Sequence, residues 1–156
     1  MKIQPIVILL VLPLMVSAQK LYEVSSYLEE GFKAPNTHYI GEAWLNRLVE
    51  ADSELDIHIT KATFKANATL DWHKHGSAQV LIYVAGEGYY QERGKEPVIL
   101  KAGDVVRCKK ETERWHSSTK NSDVTYIALY SGETPTVWTE MVTHTYYDNV
   151  AQQLGH

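Results

Sequence analysis

His73 and His75, two histidines one residue apart, are the side chains best suited to chemistry in this chain. In an extended strand side chains alternate, so both point to one face. Gln79 follows four residues later and can offer an amide oxygen. Imidazole nitrogens with an amide oxygen and no carboxylate suit a divalent first-row transition metal: manganese, iron, nickel or zinc. Such a cation acts as a Lewis acid or generates hydroxide from bound water. The plainer alternative is that His73 and His75 are interior polar residues with ordinary hydrogen-bond partners.

A scaffold must hold these groups. Residues 56–65 alternate and are rich in β-branched side chains, which favours a strand. One face carries His58, Thr60, Ala62 and Phe64. Further strands are expected over 39–49, 70–75, 79–85, 98–101, 105–109, 114–117 and 124–130. Gly86-Glu87-Gly88 reads as a hairpin turn, 136–142 as an edge strand and 146–154 as a short helix. Many short strands with frequent turns imply an all-β sandwich or small barrel.

The totals agree with one globular domain. The chain has 156 residues, 44% of them apolar, with a net charge of -4. That charge gives no basic footprint for nucleic acid. Cys108 stands alone, so no internal disulfide can form, and it reads as a small buried residue. Residues 1–18 look like a cleaved signal peptide. Lys2 is followed by an apolar run and by Val16-Ser17-Ala18. The run is shorter than the roughly 20 residues a membrane span needs. The expected product is secreted or periplasmic, with no membrane insertion after cleavage. Residues 19–37 then form an N-terminal arm.

From His73 onward the chain resembles the cupin superfamily. His73-x-His75, three residues, Gln79, six residues and Gly86 fit the spacing of the first cupin motif, and Gly103-Asp104-Val105-Val106 matches the start of the second. It is most similar to small single-domain bacterial cupins that include the manganese-dependent hydroxynitrile lyases. They share the Trp72-His73-x-His75-x-x-x-Gln79 core and a tail like Trp138-Thr139-Glu140-Met141-Val142-Thr143. The resemblance implies a single cupin-type jelly-roll β-barrel over 38–147, a C-terminal tail over 148–156 and a homodimer. It also implies a metal held by His73, His75 and Gln79 together with a histidine of the second motif.

That histidine is missing. Counted from Gly103, its position holds Arg114, and the neighbouring histidine is His116, after Trp115. Two residues along a strand cover about 6.6 Å, against metal–imidazole bonds of about 2 Å. His116 can therefore act as fourth ligand only if the strand bulges or the metal shifts. Tyr126 and Tyr130 stand where the hydroxynitrile lyases carry His and Gln, so that activity is not expected. Tyr83, Trp115 and Tyr126 are expected to line an apolar cavity, with His58 and Thr60 as outlying contacts. Arg114 either pairs with a substrate carboxylate or is a surface cation beside Glu111 and Glu113. Trp44 and Trp138 read as core or dimer packing, and His38, His144 and His156 as solvent histidines.

Two functions are consistent with this pattern. One is an exported metal-dependent enzyme, such as a lyase, isomerase, decarboxylase or dioxygenase, acting on a small organic substrate. The other is a non-catalytic cupin that binds a small anionic molecule and uses Arg114 in place of metal charge.

Overall fold

The computed structural model describes residues 23–132 and 135–156. The signal-peptide expectation over 1–18 lies outside the described residues. The described residues form antiparallel strands with one terminal helix. In chain order the strands are β1 (Phe32–Lys33), β2 (Tyr39–Ile40), β3 (Ala43–Val49), β4 (His58–Phe64), β5 (Thr69–Leu70) and β6 (Trp72–Lys74). They continue with β7 (Gln79–Glu92), β8 (Val98–Lys101), β9 (Val105–Cys108), β10 (Arg114–His116), β11 (Val124–Tyr130) and β12 (Val137–Glu140), followed by helix α1 (His144–Gln153).

The main sheet curls through the order β1-β3-β4-β11-β7-β10-β6-β12. β7 is the element that curls it. Its first part pairs with β11 and β9, and its second with β8 and β10. The hairpin turn expected at Gly86-Glu87-Gly88 is therefore not there. β7 runs straight through these residues for 14 residues. The glycines serve close approach instead. Gly86 has φ 65°, and a Cβ there would lie 1.8 Å from the carbonyl oxygen of Asp123. At Gly88 a Cβ would meet the Ser117 carbonyl at 2.1 Å. Only residues without a side chain let the strand bend and pass from one half of the sheet to the other.

The expected strand over 39–49 is likewise split, into β2 and β3, at Gly41 with φ 79°. The inner faces of the two halves bury Phe64, Leu81, Tyr83, Tyr126 and Ala128. The outer side of β6 and β10 is sealed by the C-terminal helix. Trp115 lies there against Trp72, Tyr146 and Tyr147, with ring centroids 5.8–6.4 Å apart. The helix is capped by Thr143, whose hydroxyl accepts from the Tyr146 amide. Among the described residues no helix is long and apolar enough to cross a membrane.

Candidate functional site

A pocket of about 240 Å³ opens between the two halves of the curled sheet. Alternation on β6 sends His73 inward and Trp72 to the helix side, and on β10 it sends Arg114 and His116 inward and Trp115 outward. His73 and Arg114 are directly paired across these strands. The result is a cluster of three imidazoles. The ring centroids of His73 and His75 are 5.1 Å apart, and those of His73 and His116 are 5.2 Å apart.

All three imidazoles are held neutral. Burial and then the Arg114 charge lower His73 to about 3. Burial and then Arg114 lower His75 to about 4. His116 is lowered well below its ordinary value, by burial first and then by His73 and Arg114. His73 Nδ1 lies 3.0 Å from the Asp71 carbonyl oxygen. A carbonyl only accepts, so Nδ1 carries the proton and Nε2 keeps its lone pair. His116 Nδ1 is buried without a hydrogen-bond partner.

Arg114 is fully buried, which removes the surface-cation reading. Its Nη2 donates to Gln79 Oε1 at 2.7 Å, and its Nη1 donates to the Thr112 carbonyl at 3.0 Å. Its Nε has no partner. Among the described residues no carboxylate lies within ion-pair distance of it. Glu92, opposite it across β7 and β10, is instead bonded by Lys95 and by the Tyr90 hydroxyl. The cation therefore rests on two neutral oxygens. A guanidinium has only donors, so the Gln79 atom facing it must be the oxygen. What Gln79 has left for the pocket is its NH2 group.

The sequence-predicted residues divide into two groups. His73, His75, Gln79, His116, Thr60 and Tyr126 line the pocket. Arg114 stands behind Gln79 rather than on the wall. Tyr83 is buried against Tyr126, with ring centroids 5.6 Å apart. Trp115 faces the helix and donates to Gln91. His58 stacks on Tyr130 beside Glu50, outside the wall.

Sequence reasoning missed Tyr39, Arg47, Tyr130, Thr136 and Trp138, all of which line the pocket. Trp138 packs on His73 at 5.3 Å. His38, expected in solvent, stacks on Trp138 at 4.3 Å and bonds Asp71. The pairing of β12 with β6 brings this tail over the histidines. The only signal in the sequence was the likeness of the tail to that of the related cupins.

The match to known families covers the strands that build this wall. Residues 60–130 match the family model described as Cupin domain. This stretch is similar to the cupin domain. A cupin-like protein from Thermotoga maritima MSB8 is similar at 29% identity and TM-score 0.75, over 82% of this chain and 98% of that one. A protein from Thermotoga maritima described as a predicted oxalate decarboxylase is 22% identical, with TM-score 0.63, over 70% of this chain and 98% of that one. The DMSP lyase DddQ from Ruegeria pomeroyi DSS-3 is 21% identical, with TM-score 0.50, over 54% of this chain and 43% of that one. The last two likenesses concern the fold alone. No curated protein matches the chain in sequence.

Cupins commonly bind divalent metals, so the donor set of this cupin-like site can be tested against one. Two imidazoles sharing a cation would have centroids about 5 Å apart, and the rings here have that spacing. The remaining features oppose it. The Arg114 guanidinium, opposite His73 across β6 and β10, takes up the Gln79 oxygen. Its fixed charge would repel a dication. The three rings cluster without converging, and among the described residues no three His, Cys, Asp or Glu side chains are placed to hold one metal ion together. As they stand, the residues do not fit a cupin metal centre.

Proposed function

We propose that the protein is a small-molecule-binding cupin whose pocket takes a carboxylate in place of a metal. One observation carries this reading: Arg114 is buried, lacks a carboxylate partner among the described residues and is bonded to the pocket-lining Gln79. A buried cation without a counter-ion is costly, and a ligand anion is the natural relief. Gln79 transmits the charge, because its bonded oxygen leaves its NH2 to donate to the ligand. The neutral imidazoles of His73 and His75 add hydrogen-bonding groups around the same point. Tyr39, Tyr126 and Trp138 give the ligand flat apolar walls. The apolar leader over 1–18 supports a role after export. Tyr126 and Tyr130 replace groups that hydroxynitrile lyases use, so that activity is not part of the reading.

The test uses untagged protein. Titration calorimetry with pentanoate should give one site per chain, and binding should be lost in Gln79→Leu. Elemental analysis should find no stoichiometric transition metal. One equivalent of metal that leaves in His73→Ala, with no carboxylate binding in the wild type, would reverse the reading in favour of a metal-dependent enzyme.

A further inference from the structure

Arg47 stands at the mouth of the same pocket and has no part in the reading above. On β3, Leu45 and Arg47 point inward, opposite Ala62 and Thr60 of β4. The pairing shifts register between Arg47 and Val49. Such an irregularity re-aims the side chain beside it. Phe32 steadies the guanidinium, whose carbon lies 5.5 Å from the ring centroid. Glu50 lies 3.2 Å from Nη1, but the two side chains are 64% and 57% exposed. An exposed pair of this kind is screened and worth little, so a ligand anion could replace Glu50 at small cost.

The two arginines stand at opposite ends of one wall. β3, β4, β11 and β7 are consecutive neighbours in the sheet. Arg47 is on the first, and Gln79, which carries Arg114, begins the last. Three strand spacings, about 14 Å along the curl of the sheet, separate the two strands, and Gln79 lies two residues along β7 from Leu81, which is in line with Arg47. Between them Ala62 and Ala128 leave an apolar stretch, with Leu45 beside it. The pocket is thus positive at both ends and apolar in the middle. A monocarboxylate would satisfy only one end.

We propose that the ligand is a chain-like dicarboxylate, with one carboxylate at Gln79 and the histidines and the other at Arg47. This rests on the carboxylate reading and specifies it. Arg47 is then the residue that selects for the second acid group.

Titration calorimetry of the full chain with pentanoate, pentanedioate, hexanedioate and heptanedioate tests it. The best diacid should bind about fivefold tighter than pentanoate, the gain expected of one half-exposed charge pair. In Arg47→Gln that ratio should fall to near one. In Lys65→Gln, a charge change outside the pocket, the ratio should persist. Diacids no tighter than pentanoate in the wild type would overturn the proposal and leave the carboxylate reading standing. An advantage that survives Arg47→Gln would overturn it in the same way. Absence of binding by pentanoate and by every diacid would sink both.

Discussion

Arg114 and Arg93 are close in the fold and opposite in circumstance. Arg93 follows β7, lies over the Trp72 ring at 3.9 Å and is bonded by two carboxylates, Glu113 and Glu140. Its side chain is 43% exposed. Arg114, on the neighbouring strand β10, is fully buried and rests on neutral oxygens. Arg93 has its anions within the chain, so its charge is spent on joining β7, β10 and β12. Arg114 has none in bonding range among the described residues, so its charge remains available to whatever enters the pocket. The lesson is that a cation's anions, more than its position in a motif, show whether it serves structure or ligand.

The largest difference should appear in acid. An unfolded imidazole titrates near 6.5, whereas folded His73 and His75 are lowered to about 3 and about 4. Between those values the unfolded chain binds protons that the folded chain does not. Stability should therefore be full above about pH 6.5 and fall as pH drops, by about 3 kcal/mol for each of these two imidazoles between pH 7 and pH 4. The Arg93 side behaves differently. Glu113 is lowered to about 2, by its bonds from Arg93 and Thr139. Its contribution should be complete above the ordinary carboxylate range and be lost only as pH falls towards about 2. Urea midpoints measured from pH 8 to pH 3 check both windows. A flat profile between pH 6.5 and pH 4 would show that the imidazoles are not buried and neutral.

Arg114→Met should cost about 2 kcal/mol in pentanoate binding, roughly thirtyfold, because a charge-assisted partner is removed. Its melting temperature should hold or rise, since an apolar side chain removes a buried unpaired charge. Arg114→His probes the same point from the other direction. It frees the Gln79 oxygen and puts an imidazole where the second cupin motif has one, so the variant should gain one equivalent of a divalent first-row metal by elemental analysis. Failure to gain metal would mean that more than Arg114 separates this pocket from a cupin metal centre.

The smallest effect belongs to the surface arginine. Arg93→Met should lower stability by under about 1 kcal/mol in denaturant titrations, because exposed ion pairs are screened. Pentanoate affinity should not change. A large loss of binding would remove the contrast between the two arginines.

Much of the architecture was legible in the chain. Period-2 alternation placed His58, Thr60, Ala62 and Phe64 on one face, and Thr60 and Ala62 do line the pocket. The spacing of His73, His75 and Gln79 placed three wall residues together. The departure at Arg114 was visible because a motif position can be counted. Errors came where a local signal had a tertiary cause. Gly86 and Gly88 suggested a turn, but a neighbouring carbonyl in each case, from Asp123 or Ser117, is what requires glycine. Trp115 was assigned to the cavity with its neighbours, although alternation along β10 turns it to the helix.

By itself the sequence determined most of the strands and the spacing of His73, His75 and Gln79 along one wall, because these depend on residue type and on spacing within one stretch. Three things needed the tertiary structure. Arg114 is buried with no carboxylate in bonding range among the described residues, Gln79 gives its oxygen to Arg114, and Arg47 and Trp138 reach the pocket from strands far away in sequence. Burial, partner choice and cross-sheet distance are set by how strands pair. Those quantities decide whether the pocket's charge suits a cation or an anion.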